Sequence, residues 1–138
     1  MTSISLDENA DITDVVVCTT CRPAGASRNL PAAGLALFEA VVAAQARSAT
    51  AGLQVRGTAC MSGCSRACTV ALQAPGKPTY YFGDLTADVE TATQVLACAR
   101  LHLQSVDGVL PRNARPERLR AGILAKLPPF SLASISAS

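Results

Sequence analysis

Three cysteines stand at four-residue intervals in "VRGTACMSGCSRACTVAL", residues 55–72: Cys60, Cys64 and Cys68. A small domain has little structural use for three thiols in nine residues. Cys18, Cys21 and Cys98 bring the chain to six. The first 14 residues are polar and acidic, with no basic segment leading into an apolar one. No apolar run approaches the roughly 18–20 residues that span a bilayer. A cytoplasmic location and no membrane association are therefore expected. In that reducing setting clustered cysteines point to metal binding or redox chemistry before structural disulfides.

The local pattern supplies a scaffold for them. "DVVVC", 14–18, is a β-branched run that reads as a buried strand ending on a thiol. A loop rich in Pro, Gly, Ser and Asn follows. Residues 31–48 read as a helix opened by Pro31, with Leu35, Phe38, Val41, Val42 and Ala46 at helical spacing. "LQVRG", 53–57, alternates as a second strand. "TVALQA", 69–74, and "PTYYFGD", 78–84, read as a β-hairpin around the "PGK" turn. A second helix runs to about Gln104, capped by Thr86 or Asp84, with Val89, Ala92, Leu96, Ala99 and Leu103 on one face. Residues 116–127 read as a short third helix.

The order is β-α-β-β-β-α with a C-terminal helical extension, an α/β sandwich of thioredoxin-like arrangement. Its first βαβ unit is expected to be parallel and right-handed. Residues 1–13 read as a flexible lead-in, 14–107 as the domain carrying the thiols, and 108–138 as the extension. At 138 residues, 49% hydrophobic and a mean hydropathy of +0.28, the chain can bury its own core. Aromatics are only 4%, so that core rests on small aliphatics.

In a parallel βαβ unit the carboxyl ends of both strands point the same way. The loop after Cys18 and the loop holding Cys60 and Cys64 should therefore meet, where open α/β sheets build binding sites. Four or five thiolates at one point select a soft centre, iron–sulfur or zinc. Zinc knuckles favour C-x2-C pairs. Here only Cys18 and Cys21 have that spacing, and Cys60-x3-Cys64 suits the wider span of a two-iron cluster. A [4Fe-4S] cluster also takes four cysteines.

"ACMSGCSRACTVALQAPGKPTYYFGDL" resembles the distal half of the thioredoxin-like [2Fe-2S] ferredoxins, which carry a C-x3-C followed by a hairpin with an aromatic second strand. The chain from about residue 13 to 129 is also similar to a bacterial family of small predicted metal-binding proteins, often associated with cobalamin biosynthesis genes. The resemblance implies a [2Fe-2S] cluster, with Cys60 and Cys64 as the second ligand pair and Cys18 as the first ligand. Two departures leave the fourth place open between Cys21 and Cys68. The ferredoxins separate their first two ligands by more than two residues, and they often carry Pro where this chain has Cys68. The implied function is single-electron transfer between redox protein partners, by a carrier and not an enzyme. A homodimer is one assembly it allows.

Two other function classes stand beside that one. One is a metallochaperone module holding zinc or cobalt and linked to cobalamin metabolism. The other is a thiol–disulfide oxidoreductase, since Cys18-x2-Cys21 after a first strand is similar to a thioredoxin active site. Against the latter, a dozen loop residues precede Pro31, whereas a thioredoxin places its pair at a helix start. Cys98, on an alanine-rich helix, reads as a small buried hydrophobe. His102, the single histidine, reads as a core or surface residue with no acid–base role. Of Tyr80 and Tyr81, one should pack inward and the other face outward. Net charge is +2, so nucleic acid is not an expected partner. Asp7, Glu8, Asp11 and Asp14 open the chain, and Arg112, Arg115, Arg118, Arg120 and Lys126 lie near its end. Those cations read as a solvated face, with pairing to the acidic start, or docking to an acidic partner, as alternatives.

Overall fold

The computed structural model describes residues 12–130. Residues 1–11 of the expected lead-in, with the acids Asp7, Glu8 and Asp11, lie outside the described residues, whereas Thr13, also assigned to the lead-in, is buried in the first strand. A five-stranded sheet is built from β1 (Thr13–Cys18), β2 (Leu53–Thr58), β3 (Val70–Gln73), β4 (Thr79–Phe82) and β5 (Ile123–Leu127), in the order β2-β1-β3-β4-β5. Helix α1 (Ala33–Arg47) joins β1 to β2, and α2 (Val89–Gln104) follows the β3–β4 hairpin. β1 and β2 are parallel, in register from Thr13 with Leu53 to Cys18 with Thr58. All other pairings are antiparallel. This is the α/β arrangement expected. Among the described residues no helix is long and apolar enough to cross a membrane.

Register partners share a face, which divides the sheet cleanly. Val15, Val17, Val70, Leu72, Tyr80 and Phe82 pack with Leu37 and Val41 of α1 and Val95 and Leu96 of α2 in one core. Val16, Ala71, Tyr81 and Ala125 are mutual partners on the opposite face. Tyr80 is thus the inward tyrosine, and Tyr81 is half-buried.

Three expectations need correction. Residues 116–127 form no helix: a 3-10 turn at Glu117–Leu119 leads into β5, which pairs with β4. The C-terminal segment is therefore part of the sheet. The inward face of α1 is Gly34, Leu37, Val41 and Ala44, one position rotated from the expected face, and Leu35 and Val42 lie outward. The cap of α2 is Asp88, whose carboxylate accepts from the Thr91 N–H at 2.7 Å while the Thr86 hydroxyl donates to it at 2.9 Å.

The basic end is only partly a solvated face. Arg115 is 6% exposed and donates to the carbonyls of Leu110 and Arg120, both at 3.1 Å, with its guanidinium over the Phe82 ring. Arg118 pairs with Glu90 at 3.2 Å. Asp14, the described member of the acidic start, pairs with Arg56 of β2 instead of the basic end.

His102 is fully buried on α2. Its Nε2 sits 2.8 Å from the Pro78 carbonyl, which can only accept, so Nε2 carries the proton and Nδ1 accepts from the Thr13 hydroxyl at 3.0 Å. Burial, then the nearby Lys77 charge, hold the ring below its usual 6.5 against the opposing pull of the Pro78 carbonyl. The unfolded chain takes up this proton near pH 6.5 and the folded chain does not. Stability from His102 is therefore complete above that pH and declines as pH falls below it. The denaturant midpoint should drop between about pH 7.5 and about pH 5.5, and His102→Gln should flatten that drop. A midpoint unchanged over the window in the wild-type chain contradicts this account.

Candidate metal centre

All six cysteines are free thiols. β1 ends on Cys18, and the chain turns through Thr19, Thr20 and Cys21. Cys18 and Cys21 are 1% and 2% exposed. β2 ends at Thr58, beside Cys18, and runs into the loop that carries Cys60 and Cys64. These two thiols face solvent with sulfurs 4.0 Å apart. Two thiolates on one tetrahedral metal with bonds of about 2.3 Å stand about 3.8 Å apart, so the spacing already suits one metal. Cys60 and Ser62 hold this loop in left-handed backbone, at φ of 80° and 61°. Non-glycine residues pay roughly 1–3 kcal/mol for such conformations, which cluster at functional sites.

The two loops leave neighbouring strands at the same end of the sheet, and the Cys18 charge acts on Cys64. Burial alone would push the Cys18 thiol up. Hydrogen bonds from Cys21, from Thr20 and from Met61 outweigh it, and the net displacement is downward. Cys21 moves upward, through burial and then through its shared hydrogen bond with Cys18, while Thr69 opposes the rise. Cys64 is also raised, by its hydrogen bond to Cys60 and then the Cys60 charge. The Ser62 N–H donates to the Cys60 sulfur at 3.4 Å. Four thiols therefore form two pairs at this end of β1 and β2, one buried and one open.

Cys68 lies directly behind the buried pair. Its backbone exchanges hydrogen bonds with Leu85, both 3.1 Å, and the Ala67–Cys68 peptide is cis. Burial, then the charges of Cys21 and Cys18, push its thiol up to about 11. Cys98 lies apart on α2, raised by burial to about 12, as a small buried hydrophobe should be. Among the described residues no three Cys, His, Asp or Glu side chains surround a point as a single ion requires.

The supporting residues carry no local sequence signal. The Tyr81 hydroxyl donates to the Met61 carbonyl at 2.8 Å and props the exposed loop from the helix-free face. Thr69 reaches the Cys21 sulfur at 3.5 Å. Gly34 brings the start of α1 against the first turn: its N–H donates to the Cys21 carbonyl at 2.9 Å, and a Cβ there would lie 2.0 Å from the Cys18 carbonyl oxygen. A cleft of about 500 Å³, bordered by Asp14, Gln73 and Lys77, opens at the opposite end of the sheet.

A family model described as "Protein of unknown function (DUF1636)" matches residues 15–129. The solved structure of a thioredoxin-like [2Fe-2S] ferredoxin from Aquifex aeolicus superposes with a TM-score of 0.52, covering 88% of this chain and 98% of that one at 17% identity. At that identity the likeness establishes the fold, which is thioredoxin-like. No curated protein matches the chain.

Alanine normally stabilises a helix over glycine by about 1 kcal/mol. At Gly34 the sign should reverse, because backbone blocks the new methyl. Gly34→Ala should cost about 1–3 kcal/mol, as overpacking does. Denaturant unfolding measures it, and a variant as stable as the parent removes the contact from the account.

Proposed function

We propose that this chain, which belongs to the DUF1636 family, is a small iron–sulfur electron carrier holding a [2Fe-2S] cluster between Cys18 and Cys21 on one side and Cys60 and Cys64 on the other. One observation supports it most directly: the in-register pairing of β1 with β2, which sets Cys18 beside Thr58, at the base of the loop that carries Cys60 and Cys64 with their sulfurs 4.0 Å apart. Such a cluster supplies a one-electron couple when bound, with two thiolates for each iron. The chain's own residues do the rest. Cys18 and Cys21 grip from the buried side, where low polarity strengthens every hydrogen bond to sulfur. Cys60 and Cys64 form the open rim at which a redox protein partner can approach. The Ser62 N–H points at the Cys60 sulfur and helps to set the potential.

Cys21 takes the fourth place in this reading and Cys68 is a fifth, neutral thiol behind it. Cys21 shares a hydrogen bond with Cys18, whereas Cys68 feels the pair only through charge. The rival classes fare less well. A zinc or cobalt module serving cobalamin metabolism needs its thiolates around one point. A thiol–disulfide oxidoreductase needs a reachable nucleophile, and both thiols of the C-x2-C pair are buried.

Anaerobically purified protein should be red-brown, carry iron and acid-labile sulfide in equal amounts, and give an electron paramagnetic resonance signal once reduced. Cys60→Ser and Cys64→Ser should lose nearly all iron, Cys21→Ser most of it, and Cys68→Ser and Cys98→Ser little. A colourless protein with stoichiometric zinc sinks the proposal. Iron lost from Cys68→Ser but kept by Cys21→Ser exchanges the fourth ligand.

A further inference from the structure

Thr69 lies against the buried thiol pair and against Gly63 of the open loop. It is fully buried at the entrance to β3. Its carbonyl accepts the Cys18 N–H at 3.2 Å. Its hydroxyl lies 3.5 Å from the Cys21 sulfur. Its methyl group stands 2.8 Å from where a Cβ on Gly63 would be, so it lies directly beneath the loop of the exposed pair. One side chain thus presents its polar end to the Cys21 sulfur and its apolar end to Gly63, in the loop between Cys60 and Cys64.

Resting on the cluster reading above, we propose that Thr69 is a positioning residue that donates a hydrogen bond to the Cys21 sulfur and raises the potential of the centre. The direction follows from the chemistry of the partners. A buried hydroxyl needs a hydrogen-bond partner. A metal-bound thiolate has no proton to give, so the hydroxyl must be the donor. An O–H pointed at a ligand sulfur draws electron density from it and favours the more negative, reduced state. The methyl does a separate job, holding Gly63 and the open loop at a set height above the buried pair.

The two jobs separate by substitution. Thr69→Val keeps the methyl and removes the O–H. Thr69→Ser keeps the O–H and removes the methyl. Iron and sulfide content, midpoint potential and the paramagnetic spectrum of the reduced form are measured on the full chain. Thr69→Val should hold a full cluster with its potential moved to a more negative value and its spectrum altered. Thr69→Ser should keep the wild-type potential. Where valine does not hold the cluster, Thr69→Ala removes the hydroxyl without adding bulk and should show the same negative shift. A loaded valine or alanine variant at the wild-type potential, or a serine variant shifted as far as they are, overturns the role of the hydroxyl. A wild-type chain without iron and sulfide fails the cluster reading itself, a distinct result.

Discussion

The in-register parallel pairing of β1 with β2 is the constraint on which everything else rests. Six residue pairs, Thr13 with Leu53 through Cys18 with Thr58, bring the two strands to the same finishing line. Parallel strands need a crossover, and α1 provides it. The chain leaves both strands at one edge, so thiols separated by a helix and a strand become neighbours. β3 then runs antiparallel to β1 and starts at that same edge. This brings Cys68 and Thr69 behind the pair that β1 delivers.

Gathering thiols this closely creates an electrostatic problem. Neighbouring thiolates repel one another, and burial penalises those of Cys18, Cys21 and Cys68. The local structure answers with hydrogen bonds to sulfur from Ser62 and Thr69. Two left-handed residues, Cys60 and Ser62, fold the open loop back on itself. The Ser62 N–H then reaches the Cys60 sulfur. Tyr81 and Gly63 hold the loop against the sheet: a Cβ on Gly63 would stand 2.4 Å from the Tyr81 hydroxyl. The strain and the close contacts concentrate where the chemistry is proposed, while the far end of the sheet holds regular pairing and a buried neutral histidine.

The C-terminal segment shows how tertiary context overrides local pattern. Leu119, Ile123, Leu124 and Leu127 fall at spacings that suit a helix. The free edge of β4 offers unpaired backbone groups, and β5 satisfies them. Gly83 donates to Gly122 at 2.7 Å to begin that pairing. Arg115, bonded to carbonyls at both ends of the preceding loop, holds the return path in place. The rotation of α1 has a similar origin. Its many alanines make several faces nearly equivalent, and the contact at Gly34 selects one, because only glycine fits against the Cys18 carbonyl.

Period and composition determined the alternation of strands and helices, the parallel first unit, the hairpin, and the placing of Cys18 and of the Cys60–Cys64 loop at the same end of two neighbouring strands, since these follow from local backbone preference and the handedness of βαβ units. Burial of Cys98 was legible for the same reason. Only the tertiary structure decided the fifth strand, the inward face of α1, the place of Cys68 behind the pair, and the parts played by Thr69, Tyr81 and Gly34. Those depend on contacts between residues far apart in the chain. A threonine beneath a cysteine loop looks, along the sequence, like any threonine at the start of a strand.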